Sequence, residues 1–197
     1  PGGEHKETIE TGTKCAALGG MVGVFEMPNT NPLTTNPEAL EHKIQRGLDT
    51  AFTDFAYYFG GTFENSKNLP EWENLNGVCG IKIFMGASTG NLLSASDEEV
   101  EAVVANGKRV IAVHAEDEYL MNENKTTILG DSNDVAMHCK WRDVNSSLNA
   151  TKRVVGLAKK HNRHVHVLHI TTADEMHFLR QNKDCLLYTS DAADEKR

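Results

Sequence analysis

Four residues in this chain pair a chemically useful side chain with a position where chemistry could be done. Lys82 is the one charge in the apolar run "VCGIKIFMG", Val78 to Gly86. His114 ends the apolar part of "RVIAVHAED", and His169 ends that of "HVHVLHIT". Asn29 directly follows "VFEMP", in a segment stiffened by Pro28 and Pro32.

A neutral imidazole at the end of a strand can point into a site and bind a metal. For either histidine alone, a hydrogen-bonded core or loop-start residue is the ordinary alternative; two of them together with Lys82 favour the ligand reading. Lysine is rarely buried, because an unpaired ammonium is costly to desolvate. Burial lowers its pKa, and the neutral amine can add carbon dioxide to form a carbamate. The carbamate's two oxygens could bridge divalent ions about 3.5–4 Å apart. From Lys82 alone, a side chain snorkelling to solvent is the favoured alternative. The Asn29 amide suits a substrate carboxylate or ring carbonyl, and equally the support of a turn. In "HVHVLHIT", alternation puts His164 and His166 on one face and His169 on the other. His169 is the candidate, and His164 and His166 are assigned to the strand entrance and the helix-facing side.

These residues need a frame that gathers strand ends. "HKETIETGTKCAALGG" has helical spacing and a glycine stop, and "MVGVFEMP" reads as a strand ended by Pro28. Pro37 opens a helix to about Ala51, and "DFAYYFGG" and "VCGIKIFMG" are strands. Ser96 with Glu99 forms a capping-box start for a helix ending near Gly107. "RVIAVHAED" is the next strand, residues 122–144 read as a long polar loop, and "NSSLNATKRVVGLAKKH", "HVHVLHIT" and "TADEMHFLRQN" follow as helix, strand and helix. Alternating strands and helices imply parallel βαβ units with right-handed crossovers. Periodicity leaves open a doubly wound sheet or part of a (β/α)₈ barrel. Asn29, Lys82, His114 and His169 all fall at C-terminal strand ends, where barrels carry their chemistry, although doubly wound sheets also bind ligands there.

The 197 residues carry a formal net charge of −8 and are 39% hydrophobic, ordinary for a globular domain. The acidic balance, with no basic stripe, argues against nucleic acid. No apolar run approaches the roughly 20 residues of a membrane span, and no signal-peptide pattern is visible, so a cytoplasmic protein is expected. Cys15, Cys79, Cys139 and Cys185 lack zinc-knot spacing and read as reduced small hydrophobes.

Both ends read as cut. "PGGEHKETIETG" begins as though in mid-motif, and the helical pattern runs without a turn into "CLLYTSDAADE", which resembles a translated transposon-derived sequencing adaptor. Residues 1–184 are therefore taken as an incomplete barrel domain, and 185–197 as a non-native tail left out of the fold.

Taken together, "PGGEHKETIETGTKCAALGGMVGVFEMPNTNP", "GIKIFMGASTG", "VHAEDE" and "HVLHITTADE" resemble the dihydroorotases of the amidohydrolase superfamily, in the branch close to hydantoinases and allantoinases. The resemblance covers essentially all of residues 1–184. It implies a (β/α)₈ TIM barrel of which about strands 2–6 are present, with two Zn²⁺ ions bridged by carboxylated Lys82. His114 and His169 would bind the second metal, and Asn29 would help hold the substrate carboxylate. The implied reaction is the reversible, metal-dependent hydrolysis of L-dihydroorotate to N-carbamoyl-L-aspartate in pyrimidine biosynthesis.

The same resemblance puts the first metal's HxH pair and a substrate-binding arginine upstream of Pro1, and the metal-binding, proton-shuttling aspartate beyond the C-terminal end. The chain by itself is accordingly expected to be inactive and poorly folded, with association-prone sheet edges. The implied partners are a small-molecule substrate, further copies of the chain, or aspartate carbamoyltransferase. A hydantoinase- or allantoinase-like cyclic amidase and a non-catalytic dihydroorotase-like scaffold are the competing readings.

Overall fold

The computed structural model describes residues 2–86, 92–130, 132–183 and the backbone of 187–191. Its element order is α1 (Ile9–Leu18), β1 (Gly23–Glu26), α2 (Pro37–Thr50), β2 (Asp54–Gly60), α3 (Leu69–Trp72), β3 (Val78–Phe84), α4 (Asp97–Val104), β4 (Ile111–His114), α5 (Glu118–Asn124), α6 (His138–Trp141), α7 (Val144–His161), β5 (Val165–Ile170), α8 (Ala173–Gln181) and β6 (Leu187–Asp191). All strands are parallel and lie in chain order, β1 to β6, in one sheet.

Local chemistry sets most boundaries. Thr8 and Thr11 form a capping box at the start of α1, and Ser96 and Glu99 form another at α4. Asn36 caps α2, with Pro37 in the first turn. Asp143 caps α7, which ends on left-handed Asn162 after the basic turn Lys159-Lys160-His161. The glycine stop expected after α1 is present at Gly19.

One face of the sheet packs on the helices. Ile81, Ile83, Ile111, Val113, Val165 and Val167 are all fully buried there. They share a core cluster with Val100, Val103 and Val104 of α4 and with Ala150, Val154 and Ala158 of α7. Each buried branched side chain contributes about 1.5–3 kcal/mol. The alternate positions therefore face away from the helices. In register across the sheet, Gly60, Lys82, Ala112 and His166 form one row, and Phe84 and His114 form the row above it.

Three expectations change. Residues 122–144 are substantially helical: α5 runs into a π-helical turn, Lys125–Leu129, and α6 follows a 3₁₀ turn, Val135–Met137. The segment's side chains are too polar to give an apolar stripe, so its order comes from capping. Asp117 caps α5 and Asp134 caps the 3₁₀ turn, while Asn124 donates to the Trp141 carbonyl. The region 185–197, left out of the fold in the sequence reading, supplies a sixth strand at Leu187–Asp191. The unpaired edge of β5 offers main-chain donors and acceptors, and the next extended segment pairs with them. Finally, Cys15 and Cys139 are exposed. Cys79 is half-buried, its thiol pushed up to about 12 by burial, and Cys185 lies outside the described residues. Among the described residues, no helix is long and apolar enough to cross a membrane.

Candidate metal centre

The C-terminal ends of β3, β4 and β5 bring three of the four candidates together. His114 Nδ1 and His169 Nε2 lie 3.0 Å apart, with the two rings nearly perpendicular at 68°. Lys82 is 2% exposed, and its ammonium sits 4.4 Å from the centre of the Phe84 ring. Phe84 in turn packs on His114, with ring centres 6.0 Å apart. The buried lysine thus does not reach solvent but lies beneath an aromatic shelf next to the histidine pair, where the ring's negative face favours a cation.

Asn29 lies elsewhere along the same edge. The loop after β1 folds back on β2, because Gly60 donates to the Thr34 carbonyl and Thr34 donates to the Pro28 carbonyl. A Cβ at Gly60 would stand 3.3 Å from that of Pro28, so Asn29 follows a residue seated on the row that contains Lys82.

His169 has φ +40°, a left-handed conformation uncommon for a residue with a Cβ. Such strain costs about 1–3 kcal/mol and is held only where its surroundings demand it. The turn breaks strand alternation, and the register with β6 shifts between Val167 and Ile170. This overturns the assignment of His166 to the helix-facing side. His166 stands in register with Ala112 and Lys82, and its pKa is lowered by burial and then by the charge of Lys82. The strand parity was sound; the kink at His169 is what allows His166 and His169 to serve the same edge.

Glu116 went unread in the sequence, and Arg142 drew notice only within "MHCKWRD", a stretch expected either to pack over the mouth or to cover the barrel's outside. Glu116 Oε2 lies 2.8 Å from His114 Nε2, although the approach is off the N–H direction and leaves that nitrogen without an aligned hydrogen bond. The same oxygen takes the guanidinium of Arg142, and Arg142 stacks 4.8 Å from the Trp141 ring. Burial works against charge on Glu116, but the neighbouring His114 and Arg142 outweigh it and hold the carboxyl below its usual value. Glu116 comes two residues after His114 and Arg142 ends the polar helical segment, so spacing alone gave no reason to join them. A cavity of about 400 Å³ opens beside the pair, lined by His114, Glu116, His138, Arg142, His169 and Glu175 among others. "MHCKWRD" therefore lines the cavity beside the histidine pair and reaches it through Arg142 and Glu116.

The donor set fits a divalent ion. Two imidazole nitrogens on one tetrahedral zinc, at about 2.0–2.1 Å each, are about 3.3 Å apart, close to the separation seen here. Among the described residues, no three His, Cys, Asp or Glu side chains converge on a common point. The additional donor that this region offers is Lys82, which becomes an oxygen ligand only as its carbamate.

The sequence model of a family described as Dihydro-orotase-like matches residues 1–175. A dihydroorotase of Thermococcus kodakarensis is 30% identical over 86% of the chain and 36% of its own length. One of Bacillus licheniformis is 31% identical over 93% and 42%. The chain thus spans about two-fifths of the length of the curated relatives it matches. Among solved structures, L-hydantoinase from Arthrobacter aurescens superposes with a TM-score of 0.86 at 27% identity, covering 93% of this chain and 42% of that one. A dihydropyrimidinase from Brevibacillus agri, at 22% identity and a TM-score of 0.79, shares the fold. The five parallel strands β1 to β5 are accordingly an arc of an amidohydrolase TIM barrel, and the chain belongs to the dihydroorotase-like family.

Proposed function

We propose that this chain is the central part of a dihydroorotase, an enzyme that hydrolyses the cyclic amide of L-dihydroorotate reversibly to N-carbamoyl-L-aspartate. The observation that carries this reading is the convergence of His114 Nδ1 and His169 Nε2 beside buried Lys82, within a chain of this family. His114 and His169 would hold one zinc ion, and carboxylated Lys82 would bridge it to a second. Divalent ions held there would polarise the amide carbonyl and activate water.

The chain's own residues supply the setting. Phe84 and Ala112 flank Lys82 on the face turned away from the helices, so its amine lies among the strand ends and away from solvent. Asn29 would donate its amide to the substrate carboxylate from the β1 loop. His138, Cys139 and Arg142 line the cavity on the histidine side of the site.

Assaying the complete protein that contains these residues tests the reading. Ring opening of L-dihydroorotate that depends on divalent metal and on Lys82 is expected. A second reading, a hydantoinase-like cyclic amidase, draws on the 0.86 superposition with L-hydantoinase. Turnover of hydantoins with none of dihydroorotate would select it. Cytoplasmic location, association with aspartate carbamoyltransferase and self-association are further parts of the proposal, to be checked by fractionation and co-purification.

A further inference from the structure

A metal-binding histidine must present a lone pair to the ion, so its other ring nitrogen carries the proton, and a second group has to select that tautomer. For His114 the nitrogen facing His169 is Nδ1, which leaves Nε2 to bear the proton. Nε2 lies 2.8 Å from Glu116 Oε2, a carboxylate oxygen that can only accept, and a small rotation of the ring would align the N–H that is now off that oxygen. That oxygen is gripped from the other side by Arg142, which is stacked on Trp141 and directly precedes the Asp143 cap of α7. Behind Glu116, Gly86 leaves room for its main chain: a Cβ at Gly86 would stand 2.8 Å from the Glu116 carbonyl oxygen. The chain of contacts Trp141, Arg142, Glu116, His114 and His169 therefore runs unbroken from the helical segment to the histidine pair.

We propose that Glu116 and Arg142 are positioning residues. Together they fix His114 with Nε2 protonated and Nδ1 open toward His169, and so make metal affinity depend on the docking of the segment that carries Arg142. This rests on the metal-site reading above and extends it to two residues that would touch neither metal nor substrate. With Nδ1 of His114 as acceptor, His169 would donate from Nε2; an ion bound through that nitrogen would require His169 to carry its proton on Nδ1 instead, while the His114 tautomer would stay as it was.

The test uses the complete protein that contains these residues, Co²⁺ as the probe and ring-nitrogen NMR of the histidines. Wild type should bind Co²⁺ with absorption bands that disappear in His114→Ala and His169→Ala, and should show His114 protonated at Nε2 before metal is added. Glu116→Ala should weaken Co²⁺ binding by about 10–100-fold and mix the His114 tautomers. Glu116→Gln keeps an acceptor and should recover most of the affinity. Arg142→Ala should weaken binding and Arg142→Lys restore part of it, with the metal-free circular dichroism and melting curve unchanged.

Wild-type Co²⁺ affinity and an unchanged His114 tautomer in both Glu116→Ala and Arg142→Ala would overturn this proposal alone. A wild-type chain whose Co²⁺ uptake ignores both histidines would overturn the metal reading and this inference with it. If Glu116→Ala does not fold, the Glu116→Gln and Arg142→Lys pair decides. Preserved tautomer with reduced affinity supports the proposal, and unchanged affinity in both contradicts it.

Discussion

Polar clusters occupy both edges of this sheet, and they are built in opposite ways. At the N-terminal edge Glu73 and Arg163, both almost fully buried, meet at 3.2 Å. Glu73 also accepts the main-chain N–H groups of Lys108 and Arg109, while Arg163 donates to the Asn106 carbonyl and Arg109 to that of Val78. One carboxylate thus pins the entrances of β3, β4 and β5, with only the Arg163 Nε left without a hydrogen bond. At the C-terminal edge His114 and His169 turn nitrogens toward each other, His114 Nε2 is misaligned with Glu116, and His169 is strained. The lower cluster is closed and keeps the strands in place. The upper one faces a cavity of about 400 Å³, and its strain is the kind that persists at functional sites.

That contrast can be broken experimentally. The largest effect is expected at the lower edge, where Glu73→Ala strands a buried guanidinium and should cost about 3–5 kcal/mol in denaturant unfolding. Gly107→Ala should also destabilise, by strain and displacement of the same carboxylate: Gly107 has φ +86°, and its new Cβ would stand 2.4 Å from Glu73 Oε2. Neither change should alter Co²⁺ affinity in whatever fraction remains folded; a parallel loss of both would erase the distinction between the edges. At the upper edge, adding metal at a hundredfold excess over its Kd should stabilise wild type by about 2.7 kcal/mol and leave His114→Ala unmoved. Equal stabilisation of both would place binding elsewhere.

His169→Gly sharpens the comparison further, because its two readouts should move in opposite directions. Releasing the positive φ should stabilise the metal-free chain by about 1 kcal/mol while abolishing Co²⁺ uptake. A destabilised apo form would show that His169 is there for packing. The smallest effect concerns pH. Burial opposes charge on Asp117, but the Leu120 amide, Asn149 and Arg153 outweigh it and hold its carboxyl below the ordinary value. Since the folded pKa is the lower one, its stabilisation is present above the unfolded value, about 3.8–3.9, and fades as acid takes the pH down through the folded value. Asp117→Asn should flatten that acid limb of the stability curve. An identical limb in the variant would assign acid sensitivity to other carboxylates.

How much of this was legible depended on whether a residue's meaning was local. Lys82 stood out because one charge in seven strand residues is anomalous, and the strand bounds follow from the apolar runs around it. Thr8, Asn36, Ser96 and Asp143 mark helix starts through hydrogen bonds within three residues of themselves. Glu116 and Arg142 are 26 positions apart, and their pairing exists only after α5 and α6 have folded. The order of residues 122–144 was hidden because capping, not an apolar stripe, holds it. His166 was misassigned because alternation assumes a regular strand, and the left-handed turn at His169 was not encoded in any residue type that demands one. The pairing of Leu187–Asp191 with β5 likewise reflects an available edge more than any pattern in the segment.

Metal content of the complete protein, measured beside activity in wild type and Lys82→Ala, tests the central claim most directly. Two zinc ions in wild type, with both metal and dihydroorotate turnover lost in Lys82→Ala, is the result this account predicts. A Lys82→Ala protein that keeps two ions and a near-normal rate would contradict it.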